Sequence, residues 1–279
     1  MTNARTGRSR GSVKDTVIAI LVGIIALESY FLLRAYGRPR IPSRQSPSRV
    51  SGVKKPSLGK IAVIIDDNGY SQTDCARINA IGHPVTISVL PQLPYSRQIA
   101  ACAARDRQEV MLHLPLEANQ NHDAYPDDYI IKTSTPPRLV VARLQQALAE
   151  VPQAVGVNNH MGSKATEDPQ LMGLLFAQLK KTGLFFVDSR VTAKTICRPL
   201  ARQYHLPFAQ REIFLDNENN RPYIEGQFRQ LAEAARKKGA AIGIGHARAL
   251  TWEITREQLD QLAAQGFEIV PVKDIVAAP

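Results

Sequence analysis

From residue 60 onward, short apolar runs alternate with stretches of helical periodicity. Eight runs read as strands: Ile61–Ile65, Val85–Leu90, Glu109–Leu114, Val155–Asn158, Leu184–Val187, Pro207–Gln210, Ala240–Gly245 and Glu268–Val270. The first is unbroken, apolar and mostly β-branched, the pattern of a strand buried on both faces of a parallel sheet. Between the strands, Pro137–Val151 and Asp168–Thr182 carry apolar residues at i, i+3, i+4 and i+7 and predict helices. Asp168-Pro169 is a capping residue followed by proline in the first turn. Gly183 and Gly239 follow Lys-rich helix ends, where a left-handed residue closes a helix. Seven or eight βα units predict a closed or nearly closed parallel barrel, with an open doubly wound sheet as the competing topology. No GxGxxG follows the first strand and no Walker A lysine motif is present, so the usual nucleotide-binding signals are missing.

Before residue 60 the pattern changes. Val17–Leu33 is mostly apolar, with Glu28 as its one charge. Its length as a helix is roughly 26 Å, close to the hydrocarbon core of a bilayer. Tyr30 and Tyr36 suit the interface. The expected organisation is a basic cytoplasmic tail over 1–16, a transmembrane anchor over 17–36, a flexible Pro/Ser/Arg-rich linker over 37–58, and one α/β domain over 59–279. A cleaved signal peptide is the competing reading. Arg34, beside the weak cleavage candidate Ala35-Tyr36-Gly37, argues against it. Basic residues flank the span on both sides, so charge does not orient it. Single-pass insertion in the inner membrane, with the α/β domain in the periplasm, is the expectation by precedent for such anchors.

Charge sharpens this division. The formal net charge of +10 suggests a polyanion ligand. Residues 1–60, however, hold twelve Lys and Arg against Asp15 and Glu28, leaving 23 of the 35 basic and 23 of the 25 acidic residues for the remainder. The α/β portion is therefore neutral and nucleic acid is not an expected partner. The basic segment suits anionic lipid headgroups beside the anchor. The three cysteines, Cys75, Cys102 and Cys197, form no CxxC and are odd in number, so neither a disulfide framework nor a Cys-rich zinc site is expected.

Polar residues gather at the carboxyl ends of the predicted strands, the rim where parallel barrels keep their chemistry. Strand one ends in Asp66-Asp67, with Asn68-Gly69 offering a turn. One carboxylate capping a following helix and the other solvated is the bland account of that pair. The third strand carries His113, with Glu117 four residues on. The fourth runs into Asn159 and His160, the fifth into Asp188 and Arg190, and the seventh into His246. His83 and His205 precede strands, at the opposite rim, and His122 lies in a loop; all three read as structural. Imidazole and carboxylate without thiolate suit Zn²⁺ or another borderline divalent ion. Three protein ligands leave a position for a water whose pKa the metal lowers.

At these residues the chain resembles the divergent polysaccharide deacetylases, distant relatives of the NodB-type carbohydrate esterases. The resemblance covers about residues 58–277. It rests on Ile-Ile-Asp-Asp-Asn-Gly, Val-Met-Leu-His-Leu-Pro-Leu-Glu, Asn-Asn-His-Met-Gly-Ser, Phe-Val-Asp-Ser-Arg, Ile-Gly-Ile-Gly-His-Ala and Phe-Glu-Ile-Val-Pro-Val, in that order. It implies a distorted (β/α)7–8 barrel and metal-dependent removal of an acetyl group from an N-acetylated polysaccharide or cell-wall glycan. Carried over, Asp66 is the general base, Asp67 and His113 bind the metal, and His246 is the general acid. The NodB His-x-x-x-His appears here as His113-x-x-x-Glu117, so the third ligand is expected to be His160, with Glu117 as the alternative. Asp188, Arg190 and Asn159 are expected to orient the acid–base groups or touch substrate. A non-catalytic glycan-binding protein on the same barrel is the other function compatible with these departures.

Overall fold

The computed structural model describes residues 57–120 and 125–277. The tail and anchor expected over 1–16 and 17–36, and residues 37–56 of the linker expected over 37–58, lie outside the described residues, as does His122. No helix among the described residues is long and apolar enough to cross a membrane.

Nine strands form one sheet: β1 (Lys60–Asn68), β2 (Thr86–Val89), β3 (Glu109–Leu116), β4 (Gly156–Met161), β5 (Phe185–Asp188), β6 (Phe208–Gln210), β7 (Ile213–Phe214), β8 (Ala240–His246) and β9 (Glu268–Ile269). Seven helices connect them: α1 (Asp74–Ala80), α2 (Ser96–Arg105), α3 (Pro137–Glu150), α4 (Pro169–Thr182), α5 (Cys197–Tyr204), α6 (Arg221–Lys238) and α7 (Ala249–Gln265). Every ladder is parallel, in the order β6-β5-β4-β3-β2-β1-β8-β7, with β9 beside the start of β1. All eight predicted strands are present. The ninth, β7, escapes notice because two apolar residues show no period.

The expected barrel is not laced shut. β6 and β7 end the sheet and share no ladder. The chain steps from one edge to the other through Arg211-Glu212, whose backbone N–H groups donate to Asp188 O at 3.0 Å and to Ile242 O at 2.9 Å. The result is a curled parallel half-barrel whose seam is crossed by the chain itself. Two residues are too few for the crossover that parallel pairing of β6 with β7 would need.

The period of two along each strand sorts side chains into two cores. Ile61, Val63, Ile65, Ile87, Val110, Leu112, Val157 and Phe186 pack outward beneath the helices. Ala62, Ile64, Met111, Val187, Ile242 and Ile244 fill the lumen, with Val270 and Val272. Toward the carboxyl ends the lumen-facing positions turn polar. Ile64 gives way to Asp66, Met111 to His113, Gly156 to Asn158 and His160, and Ile244 to His246. The plugged lower lumen thus leaves a polar floor at one mouth.

α4 shows how local sequence sets a boundary. Asp168 accepts from Gln170 N–H and Leu171 N–H at its start, and Gly183, at φ 72°, closes it after Lys180 and Lys181. Gly239 closes α6 at φ 82°. α1 begins at Asp74 with no side-chain cap, so neither Asp66 nor Asp67 serves as one.

One expectation about cysteine is corrected. Cys75 on α1 and Cys102 on α2 form a disulfide across 27 residues, with Cα atoms 5.8 Å apart. Packing of α1 against α2 brings together residues that no spacing rule connects. Cys197 is free and buried.

Candidate metal centre and acid–base pair

Adjacent residues of a regular strand face opposite ways. β1 breaks that rule where it matters. Its register with β2 slips between Ile65 and Asn68, and Asp67 takes φ 59°. This bulge lets both carboxylates face the mouth. Asn68, fully buried, bridges the irregularity, donating from Nδ2 to Ile65 O at 2.7 Å and to Ser88 O at 3.2 Å.

Asp67, His113 and His160 come together, each offering one ligand atom within 4.8 Å of the others. Asp67 Oδ1 lies 3.3 Å from His113 Nε2 and 3.0 Å from His160 Nδ1. Metal–ligand bonds of about 2.0–2.2 Å hold neighbouring donors roughly 3–3.5 Å apart, so the spacing fits one ion. The protonation pattern fits as well. Asn158 Nδ2 donates to Asp66 Oδ1 at 2.9 Å, which turns Asn158 Oδ1 toward His113 Nδ1 at 3.0 Å. That oxygen only accepts, and Ser88 Oγ also donates to it at 2.5 Å. His113 Nδ1 therefore carries the hydrogen, and in the neutral ring Nε2 presents a lone pair to the Asp67 carboxylate. Two electron-rich atoms face each other across 3.3 Å, an arrangement that a cation satisfies. The two imidazoles are nearly buried, whereas the Asp67 side chain is 26 % exposed, which leaves one side of the site open to water or substrate.

Electrostatics separate the two carboxylates. For Asp66, burial raises the pKa above the usual range, and Asp67's charge adds to it; His113, His246 and the Asn158 amide only partly offset this. For Asp67, burial pushes the same way, but the pull of His113 and His160 in their protonated form outweighs it and holds the carboxyl well below the usual range; the neutral His113 tautomer is the form that accepts a metal.

His246 lies beside Asp66 in the β1–β8 register. Adjacent strands place their lumen-facing side chains about 4.8 Å apart. Its Nδ1 is 2.7 Å from Asp216 Oδ1, and its backbone N–H donates to Asp216 Oδ2 at 2.9 Å. Thr251 Oγ1 donates to Oδ2 at 2.7 Å. Asp216 is wholly buried; burial raises its pKa, but hydrogen bonds and charge from His246 bring it below the usual value. For His246, burial lowers the pKa, and the bond to Asp216 more than reverses this. The imidazole stacks on Phe214, with ring centroids 5.9 Å apart and planes at 14°. On the far edge of the seam, Arg211 lays its guanidinium 3.7 Å from the Phe214 centroid.

The remaining expected residues lie elsewhere. Asp188 shares the outward parity of Phe186; its carboxylate accepts from Thr195 Oγ1 and Arg190 N–H, both at 2.7 Å, and reaches neither Asp66 nor His246. Asn159 ties β4 to the end of β5, accepting from Ser189 N–H and donating to Met161 O. Glu117 is engaged by Thr133 and Lys164, so it pins a loop and stands outside the Asp67 cluster. Arg190 is exposed at the rim. The orienting role expected of Asp188 falls to Asp216 for His246 and to Asn158 for both Asp66 and His113. Asp216 carried a readable signal: Ile-Phe-Leu-Asp repeats the apolar-run-then-Asp pattern of Phe-Phe-Val-Asp at β5.

Asn158→Ala should lower stability by about 2–4 kcal/mol, because it leaves several buried polar groups without their partner. It should also weaken metal binding roughly 10- to 100-fold, since nothing then fixes the His113 tautomer. Thermal unfolding and metal titration measure the two effects. An unchanged metal affinity would refute the tautomer argument.

A family model described as divergent polysaccharide deacetylase matches residues 63–276. An uncharacterized protein of Haemophilus influenzae is 34 % identical over 203 residues, 73 % of this chain and 72 % of that one. The uncharacterized protein YibQ of Escherichia coli is 31 % identical over 212 residues, 73 % of this chain, and the match spans 63 % of that protein's length. Among solved structures, an uncharacterized protein from Agrobacterium tumefaciens superposes with a TM-score of 0.74 at 23 % identity, over 78 % of this chain and 89 % of that one. The catalytic domain of a peptidoglycan N-acetylglucosamine deacetylase from Eubacterium rectale gives 0.51 at 15 % identity, over 81 % and 94 %. These last two likenesses speak to the fold. With the family model spanning nearly all of the α/β domain, the chain belongs to the divergent polysaccharide deacetylase family.

Proposed function

We propose that this protein is a metal-dependent hydrolase that removes acetyl groups from N-acetylated sugars of a cell-envelope polysaccharide. The observation that carries the reading is the convergence, at one mouth, of Asp67, His113 and His160 with Asp66, on the same strand as Asp67, and His246 on the adjoining β8. Asp67, His113 and His160 would hold the ion, with Zn²⁺ the best match to their nitrogen and oxygen donors. When bound, such an ion polarises the acyl carbonyl and lowers the pKa of a coordinated water.

The chain's own residues do the rest. Asp66 accepts a proton from the attacking water as the new C–O bond forms. His246, with Nδ1–H held by Asp216, presents its other nitrogen to the mouth and donates a proton to the leaving amine as the C–N bond breaks. Acetate and a free amino sugar result. Asn158 keeps Asp66 turned toward the mouth while fixing the ring of His113.

The test is acetate release from N-acetylated chitooligosaccharides by the purified protein. Release abolished by a chelator and restored by Zn²⁺ is the expected result. Saturable binding of the same oligosaccharides by metal-loaded protein, with no acetate formed, would replace the hydrolase by a glycan-binding module.

A further inference from the structure

Arg211 is anchored but not neutralised. Its Nε donates to Ser189 O at 2.6 Å and its Nη2 to Arg190 O at 2.7 Å, while the guanidinium plane rests on Phe214. Among the described residues, Nη1 has no acceptor, and no carboxylate lies within 4.0 Å of Arg211 or Arg190. Arg221 meets Glu225, Glu253 and Glu257, and Arg248 meets Asp216.

Arg190 and Arg211 meet through a backbone contact, Arg211 donating to the Arg190 carbonyl while Arg190 itself is exposed at the rim. Burial pushes the Arg211 pKa down to about 10, and the Arg190 charge adds to the effect; Asp188 and Asp66 oppose it from a distance. Arg190 holds φ 51°, a left-handed backbone that long side chains seldom adopt. That turn points its carbonyl at Arg211. Asp188, Asp66 and Glu212 act on Arg211 only from beyond 4.0 Å, so the rim keeps positive charge that attracts an anion. The pair stands at the carboxyl ends of β5 and β6, and Phe214 touches both Arg211 and His246. The cationic face is therefore one aromatic ring away from the candidate general acid.

We infer that Arg190 and Arg211 form an oxyanion subsite, and that the glycan processed here carries a carboxylate or phosphate on the reacting sugar or its neighbour. The inference rests on the hydrolase reading for its location and deepens it by naming an acidic substrate. A planar guanidinium with a free edge suits the two oxygens of such a group, which a neutral chitin-like chain lacks.

The experiment compares the binding of three probes to the metal-loaded protein: N-acetylglucosamine, its 3-O-lactyl ether N-acetylmuramic acid, and N-acetylglucosamine 6-phosphate. At least one acidic probe should bind about tenfold more tightly than the neutral sugar, as expected of one charge-assisted contact. Which of them does so tells carboxylate from phosphate. The preference should shrink in 0.5 M salt, severalfold in Arg190→Gln, and to within about twofold in the Arg190→Gln/Arg211→Gln pair. Should the double variant fail to fold, Arg190→Gln alone decides, since that side chain is exposed and makes no protein bond. Equal binding of all three probes by the wild-type protein overturns the proposal, as does a preference that survives the substitutions. The readout is binding, so the two readings fail separately. Charge preference without acetate release removes the hydrolase and keeps the subsite; acetate release without charge preference does the reverse.

Discussion

Replacing His113 with alanine should abolish stoichiometric binding of a divalent ion and reduce acetate release by about a thousandfold. The magnitude follows from the several kcal/mol that a Lewis-acid ion contributes to stabilising the transition state, at 1.36 kcal/mol per decade of rate. His113 Nε2 faces Asp67 Oδ1 and its other nitrogen is engaged by Asn158, so no second group in the lumen substitutes for it. His160→Ala should act in the same direction, through the opposite side of Asp67 Oδ1. Metal content of the purified variants, by mass spectrometry, is the measurement. A full complement of metal in both variants would eliminate the assigned ligands. Glu117→Ala serves as the contrast: its carboxylate is spent on Thr133 and Lys164, so metal content should stay unchanged.

Asp216→Asn should lower the turnover rate by about 10²- to 10⁴-fold while leaving metal content intact. Asparagine fills the same volume, but its amide can present N–H rather than oxygen to His246 Nδ1. That favours the wrong tautomer, the effect an orienting carboxylate prevents in other acid–base pairs. The pH profile should move in a definite direction. In the proposed mechanism His246 must be protonated to act as the acid, and its raised pKa keeps it so to higher pH. Without the Asp216 charge the alkaline limb shifts to lower pH.

Stability follows the same linkage. The elevated His246 pKa stabilises the fold below the ordinary histidine pKa and loses that contribution as pH rises through the folded value. The depressed Asp216 pKa stabilises it above the ordinary carboxylate value and loses that contribution as pH falls. The pair supports the fold in the window between, and Asp216→Asn removes that support. A variant with normal turnover and an unshifted alkaline limb would show that Asp216 has no hold on the acid.

The legibility of the chain divides along physical lines. Strands such as Ile61–Ile65 and helices such as Asp168–Thr182 announce themselves because burial on both faces, or on one stripe, leaves a long regular pattern. Asp67 and His160 were visible for a related reason, standing at or just past the end of an apolar run, and His113 because it interrupts one. Hidden were the residues whose role depends on partners across the sheet. Asn158 looks like any polar residue in a strand until Asp66, His113 and Ser88 surround it. Asp216 follows a strand too short to show a period. Asp188 misled because its run ends like the others, yet its parity faces the helices. Cys75 and Cys102 are joined only by the packing of two helices. Arg211 occupies a two-residue crossing that no pattern marks.

The bulge at Asp66-Asp67 makes chain length as constrained as chemistry there. Few side chains rest at φ 59°, and asparagine is among those that do, so Asp67→Asn tests the charge alone, whereas alanine also strains the main chain. Excising either aspartate is a different experiment from substituting it. A strand one residue shorter would run regularly, keep a single acid on the lumen face and carry Asn68 out of the pocket it plugs. Lineages of this protein can therefore exchange side chains at this corner far more readily than they can gain or lose a residue.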